Sequence, residues 1–379
     1  MRADRPLKVL VVGANVRHIA CSAARAGHDI LAADCYSDLD LAESVSQSFL
    51  LDCNPSIPGD LARSAENLIR TVLDRDQIDC LILGPGIEEM RIEGIEILNN
   101  PPDKFSEVSD KLWLARWLEH EGFPTVPTWS VGEEQDFRVF PLMVKPRKGA
   151  GGTENMLVKG DEDLANLEGD LIVQEMVEGI SASVSVMADG EEAVAISANE
   201  QLIGTDWLGG SGFRYCGNIS PLERSREDYP VADMIEIAEE IAIGLNLVGS
   251  NGIDFLMTES GPVVLEVNPR FQGSLDAVEI STGMNIFQSH LLSFDGNLPK
   301  RPKPRGFGGR AILFAKDDLK IEEDLRGVSR WLADIPRPGS CAKMGDPVSS
   351  ILSFGENRKK TIDLLHSRSS SIFRACRRL

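Results

Sequence analysis

Residues 251–270, NGIDFLMTESGPVVLEVNPR, set two alternating apolar runs on either side of a turn-prone TESGP, the pattern of a β-hairpin. Side chains alternate across a strand, so Ile253, Phe255 and Met257 share one face of the first run, and Val263, Leu265 and Val267 share one face of the second. Asp254, Glu266 and Asn268 take the alternate positions, and a turn centred on Ser260 puts Asp254 across from Glu266. Two close carboxylates repel each other and are tolerated best around a divalent cation; an all-oxygen set suits Mg2+ or Mn2+. Arg270 falls beside the same face, where a cation next to such a metal would offset the charge that develops on a transferring phosphoryl group.

Two upstream runs fit the same chemistry. In PLMVKPRKGAGGTEN, a strand delivers Lys145 and the chain then enters Lys148, Gly149, Gly151 and Gly152. Glycines at that density let backbone N–H groups approach phosphate oxygens, and such a loop can close as a lid. No GK[ST] ends the run and no helix begins at once, so it is not a Walker A loop. In LIVQEMVEG, residues 171–179, a strand ends in positions where Glu175 and Val177 could offer backbone groups to an adenine edge, with Gln174 on the exocyclic amine.

The elements that must carry these residues are alternating ones. From residue 8 to 100 short apolar runs (KVLVV, DILAAD, CLILG) alternate with helical patterns over Ile19–Ala26 and Asp60–Leu73, which predicts a parallel βαβ sheet covered by helices. The loop after the first strand reads GANVRH, with Asn15 and His18 where a dinucleotide fingerprint needs glycines, so a nicotinamide cofactor is disfavoured. Asp34 at the end of the second strand is then a loop residue rather than a ribose ligand. Asn99–Pro102 breaks the pattern, and a helix follows with Ser109 as its expected N-cap and Gly122 as its close. Further on, Met234, Ala238, Ile241 and Leu245 mark a helix over Val231–Leu247. A Pro/Gly/basic stretch, residues 296–309, precedes short strands (AILFA, VSSILSF) and a final helix. The expected division is 1–105, an N-terminal Rossmann-like domain; 106–297, the domain holding the three runs and a lid; and 298–379, a β-rich segment with a basic tail.

Composition narrows the function. The chain has 379 residues, with 39 Lys+Arg against 59 Asp+Glu and a net charge of −20, which works against binding phosphate backbones or anionic lipid. Neither nucleic acid nor a membrane is an expected partner, since no apolar run approaches the ~18 residues a membrane span requires. The seven cysteines are scattered without a CxxC and the five histidines show no metal spacing, so neither a disulfide framework nor a zinc site is encoded, and a reducing cytoplasm fits. Nor is there a Ser/His/Asp or Cys/His nucleophile pattern.

With these motifs in place, the chain resembles the ATP-grasp superfamily, which includes carboxylate-amine ligases, the carbamoyl phosphate synthetase large subunit and biotin carboxylase. Lys111 in VSDK, Lys145 in VKP, the glycine loop 149–152, the QEMVEG hinge, Asp254 in GIDF, and Glu266, Asn268 and Arg270 in LEVNPR match the family's motifs. The resemblance implies an α/β ATP-grasp fold with ATP and Mg2+ or Mn2+ as cofactors. It makes Lys111 and Lys145 the phosphate-binding lysines, and Lys145 and Arg270 the residues acting on the transferring phosphate. Ser181 or Glu178 would stand at the ribose. It further implies an ATP-dependent ligase joining a small-molecule carboxylate to an amine through an acylphosphate; a homodimer is left open. Biotin attachment is disfavoured: no Met-Lys-Met is present, and Lys343 in SCAKMGD reads as a turn lysine. The alternatives are a nucleotide-binding regulator that keeps the fold without ligase activity, and a biotin-independent carboxylase-like enzyme. For the acceptor pocket, the expectation is the loop 201–221, with Arg214 and Tyr215 gripping a carboxylate. Gly13, Asn15, His18 and the loop 84–89 are expected to complete it from the N-terminal domain.

Overall fold

The computed structural model describes residues 5–53, 57, 59–133, 139–149, 151, 152, 154–223 and 231–378. The chain is mixed α/β. Its N-terminal part is a four-stranded parallel sheet in the order Gln47–Leu50, Asp29–Asp34, Lys8–Val12, Cys80–Leu83. The strands are apolar throughout because both faces are covered: Leu10 and Val12 pack with Leu31, Ile69 and Leu81, while Val9 and Val11 pack with Ile19, Ile30 and Phe287. The helices observed here, Arg17–Arg25 and Asp60–Leu73, match the predicted periodicity. Asp34 accepts hydrogen bonds from the backbone N–H groups of Val16 (3.4 Å), Tyr36 (3.1 Å) and Ser37 (2.7 Å), the structural loop role expected of it. Gly13 does not face a pocket. It lies against the neighbouring strand end, where an added Cβ would sit 2.8 Å from the Gly84 backbone, so the pairing of two strand ends, not a substrate, requires glycine there.

The centre is an eight-stranded antiparallel sheet in the order Gly261–Asn268, Val248–Thr258, Ile180–Asp189, Ala193–Ile203, Tyr215–Ser220, Phe307–Phe314, Pro347–Gly355, Leu332–Ala333. It runs through the 297/298 position without interruption, since Phe307–Phe314 pairs with Tyr215–Ser220 and brings Arg310 opposite Asn218. One face is covered by helix Val231–Gly244, whose Met234, Ala238 and Ile241 join Ile253, Phe255 and Met257 in one core. Helices Leu275–Thr282 and Ile286–Ser293 join the central sheet to the N-terminal domain, with Phe287 shared between their cores. The final helix is Arg358–Ala375.

A third, antiparallel sheet of Thr128–Ser130, Leu171–Glu175, Leu142–Pro146 and Met156–Val158 has a small core of its own, Leu142, Val144, Val158 and Val173. It faces the central sheet across a cleft. The adjoining helix, Lys111–Glu121, is capped not by Ser109 but by Asp110, whose Oδ1 accepts from the N–H groups of Leu112 and Trp113, both at 3.1 Å. Arg147 decides between the two candidates by pairing with the Asp110 carboxylate at 2.8 and 2.6 Å. Ser109 instead closes a short preceding helix, Pro102–Val108. Among the described residues no helix is long and apolar enough to cross a membrane, and all seven cysteines are free.

Candidate active site

The hairpin forms as Val248–Thr258 and Gly261–Asn268, and Asp254 pairs directly with Glu266. Its apolar face differs from strict alternation. A β-bulge lets Phe255 pair with Val264, so Leu265 has no counterpart. An extra residue in one strand re-aims the side chains beyond it: Val264 and Val267 are buried in the core, whereas Leu265 lines the cleft beside Glu266. Asp254, Glu266 and Asn268, in register on the alternate positions, open into one cavity, and the bulge adds Leu265 to their face. Asp254 accepts from Gln201 Nε2 at 3.0 Å and from Asn268 Nδ2 at 3.3 Å. Withdrawal from solvent, and then the charge of Glu266, push its carboxyl up to about 7, against the pull of Arg270. A carboxyl lifted in this way by burial and a neighbouring carboxylate is a site short of a cation, and with Glu266 and the Asn268 amide it makes an all-oxygen donor set that fits Mg2+ or Mn2+.

Arg270 is aimed by its neighbours. Its Nη2 donates to Asn268 Oδ1 (3.1 Å), its Nη1 to the Phe271 carbonyl (3.0 Å), and its Nε stands 3.3 Å from Glu88 Oε1. Glu88 is itself buried and accepts from the Gly86 N–H at 2.8 Å. The loop 84–89, expected only to close the pocket, thus holds the arginine. Asn100, read from sequence as part of a breaker, is a buried clasp: its Nδ2 donates to Asn251 Oδ1 (2.8 Å) and to the Pro269 carbonyl (3.0 Å), and its Oδ1 accepts from Val248 N–H (2.8 Å). Both ends of the hairpin are anchored by that one amide.

Lys145 projects from the lid sheet into the cavity. Desolvation lowers its ammonium to about 8, Lys111 adding to the effect and the carboxylates of Glu266 and Asp254 opposing it. Lys111 and Lys148 do not line the cavity. Lys111 is buried with its Nζ on the Gly149 carbonyl at 2.7 Å, where it holds the glycine loop. Lys148 is half-exposed and bonds Ser106 Oγ (2.7 Å) and Glu89 Oε1 (3.3 Å) at the outer rim. Gly149 is likewise off the wall, whereas Gly151 and Gly152 are on it. Gly152 has φ +69°, and a Cβ there would collide with the Phe213 carbonyl. The Tyr215 N–H donates to the Gly151 carbonyl at 3.2 Å, so the glycine loop is seated on the loop 201–221.

The cavity measures about 1300 Å³. Gln174, Glu175, Val177 and Ser181 line it together with Asp254, Glu266, Asn268 and Arg270 and with Asn15, His18, Arg214, Tyr215 and Arg310. Gln174 anchors its Nε2 on Thr128 Oγ1 at 2.8 Å, which leaves Oε1 as the free acceptor for an exocyclic amine. Arg214 donates to the Gly345 carbonyl (2.6 Å) and lies 4.7 Å from the Phe314 ring centroid; it has no acidic partner among the described residues. The Tyr215 hydroxyl is committed to Asn218 Oδ1, and burial pushes its proton affinity up, so it positions Asn218 rather than reaching for a ligand.

Sequence reasoning missed a buried ion network on this wall. Arg17 donates to Asp276 (3.0 and 2.7 Å) and to Asp334 (2.9 and 3.3 Å), and Arg310 bonds Asp334 at 2.9 Å. His18 lies against it, its ring driven down to about 3 by burial and the two arginines. These residues are 24 to 317 positions apart, and single charged residues on apolar elements carry no signal of such pairing.

Residues 108–274 match the family model described as the ATP-grasp domain. The chain is 26% identical over 375 residues to an uncharacterised protein of Methanocaldococcus jannaschii, a match covering 95% of this chain and 91% of that one. Its fold is similar to that of biotin carboxylase from Campylobacter jejuni, solved as a β-γ-ATP complex (TM-score 0.76, 16% identity, 96% of this chain and 91% of that). It is similar too to the L-amino acid ligase from Bacillus licheniformis (0.68, 15%, 97% and 98%). Against the longer pyruvate carboxylase of Rhizobium etli (0.75, 17%), it is matched over 98% of its own length but spans only 38% of that chain. A cleft between two antiparallel sheets, with the lid lysine facing the acidic hairpin, is where that family model falls on the structure, and residues 108–274 of this chain are an ATP-grasp domain.

Proposed function

We propose that this protein is an ATP-dependent carboxylate-amine ligase of the cytoplasm. A substrate carboxylate oxygen attacks the γ-phosphorus of ATP, the bond to ADP breaks, and an acylphosphate forms. The amine nitrogen then attacks the acyl carbon, phosphate leaves, the nitrogen sheds a proton, and an amide remains. Little covalent help is required from the protein, since positioning and charge neutralisation carry phosphoryl transfer.

The residues divide that work. Gln174 Oε1 and the backbone of Glu175 and Val177 receive the adenine, with Ser181 beside the ribose. Lys145 and the seated glycine loop hold the phosphates and exclude water. Asp254, Glu266 and Asn268 would hold Mg2+ or Mn2+, which when bound draws charge from the phosphate oxygens. Arg270, fixed by Glu88 and Asn268, meets the charge that develops as the phosphoryl group moves. Arg214, a guanidinium with no acid partner among the described residues, receives a substrate carboxylate.

The observation that carries this reading is the convergence of Lys145, the Asp254–Glu266 pair and Arg270 on one cavity that Arg214 and Arg310 also line. The L-amino acid ligase fold supports the amine as second substrate. The test is ADP and phosphate release by the full chain with Mg-ATP and pooled carboxylates and amines. Release should require both substrates, and Glu266→Ala should lower it by about a hundredfold or more. Full turnover by Glu266→Ala, or release indifferent to any carboxylate, overturns it.

A further inference from the structure

Five buried or nearly buried acids gather where the N-terminal domain meets the central sheet, and four are satisfied. Asp34 accepts three backbone N–H groups. Asp40 accepts those of Asp334 (3.1 Å) and Ile335 (2.8 Å). Asp276 and Asp334 are held by Arg17 and Arg310. The fifth, Asp38, is 4% exposed and lines the cavity, yet its carboxyl makes no hydrogen bond or ion pair with any described residue. It even stands at the N-cap of helix Leu39–Ser44 without accepting from the helix through its side chain. A carboxyl without a donor from the described residues is open to a ligand's, and the space in front of it is the cavity it lines.

We infer that Asp38 receives the ammonium group of a ligand bound in the cavity, and that this ligand is the amine substrate. The second half rests on the ligase reading; the first does not. Charge sets the class of ligand. The charges acting on Asp38 are those of Asp334, Asp34 and Asp40 against that of Arg17, while Arg337 is bonded to the carbonyl and hydroxyl of the neighbouring Ser37. That excess favours a cation at Asp38 itself. An ammonium needs one carboxylate and neutral acceptors. Asn15 and the neutral ring of His18 stand on the same wall. Burial, then Asp334, Asp34 and Asp40, lift the Asp38 carboxyl to about 8 against the pull of Arg17, which keeps the charge suppressed until a cation arrives.

The experiment compares matched ligands on the full chain with Mg2+ and a non-hydrolysable ATP analogue. Pooled L-amino acids and alkyl amines are each set against the counterpart bearing hydroxyl in place of the amino group, and binding is measured by titration calorimetry. At least one amino compound should bind about tenfold or more tightly than its hydroxyl counterpart. Asp38→Asn should erase that preference while leaving analogue affinity unchanged. Binding of no ammonium probe, equal binding of hydroxyl counterparts, or a preference that survives Asp38→Asn overturns the inference. A preference without ADP release on ATP would sink the ligase reading and leave the site standing; ADP release with the preference intact in Asp38→Asn would do the reverse.

Discussion

Replacing Arg17 with methionine should loosen the N-terminal domain from the rest of the molecule. Arg17 is 3% exposed and gives four hydrogen bonds to Asp276 and Asp334, on two elements far apart in sequence. Methionine has similar reach but leaves two buried carboxylates sharing Arg310 alone. Removing one partner of a buried pair typically costs about 3–5 kcal/mol, because a charge is left without compensation. The remaining distances show which acid suffers: Arg310 keeps Asp334 at 2.9 Å but stands 3.5 Å from Asp276. Arg17→Met with Asp276→Asn should therefore recover about half of the loss, whereas Arg17→Met with Asp334→Asn should recover less. Native-state hydrogen exchange at Lys8–Val12 and Asp29–Asp34 reads the domain directly, without assuming that the whole chain unfolds in one step. Nucleotide affinity should not change, since Arg17 is not on the cavity wall. A single-variant cost below about 1 kcal/mol, or a double variant as unstable as the sum of its parts, would refute the reasoning.

The geometry sets two more outcomes. Gly152→Ala sets a Cβ against the Phe213 carbonyl at φ +69°; it should weaken ATP binding by about tenfold with little change in the melting temperature of the nucleotide-free protein, and unaltered affinity would show that the loop need not seat there. The second concerns acid. His290 accepts from the Ser250 N–H through Nδ1 (2.9 Å), so its Nε2 donates to the Leu98 carbonyl (2.9 Å), and burial lowers it to about 4. Below pH 6.5 the unfolded chain takes up that proton and the folded chain does not, so this stabilisation is complete above about 6.5 and is lost as the pH falls toward 4, by about 3 kcal/mol at most. His290→Asn, which keeps an acceptor, should flatten the fall of melting temperature between pH 7 and 5; an unchanged slope removes His290 from the account.

The hairpin, the lid strand, the parallel sheet and the helices at 60–73 and 231–244 were legible because each is set by local periodicity and local turn chemistry. The Asp254–Glu266 pairing needed only the turn position. What could not be read depends on partners distant in sequence. The bulge that turns Leu265 outward is a two-strand property, invisible in either strand alone. Arg147, 37 residues downstream, chose Asp110 over Ser109 as the helix cap. Gly13 looked like a ligand-facing turn residue because sequence does not show that Gly84 would lie against it. Lys111 and Lys148 carried the right charge for a phosphate, but the nearest acceptors were the Gly149 carbonyl, Ser106 and Glu89.

The two ends of the cavity differ in how firmly they are built. The acceptor end is walled by ion pairs with both members nearly buried and by an apolar core in which Ile19, Ile30 and Val9 share contacts with Phe271, Leu275 and Phe287. Moving that wall would separate charges in a medium that screens them poorly and strip apolar area of its cover, at several kcal/mol. The lid sheet has a separate core of four fully buried side chains. Its ties to the rest include Lys111 to Gly149, Gly151 to Tyr215, Lys148 to Ser106 and Glu89, and the two hydrogen bonds of Arg147 to Asp110, an ion pair whose arginine side chain is 36% exposed. Contacts of that kind contribute about 1 kcal/mol each. On the ligase reading, the lid sheet is the part held by the weaker ties, and His18 and Asp38 stand beside the firmer wall. On that reading, lid substitutions should register in nucleotide affinity and wall substitutions in acceptor selectivity.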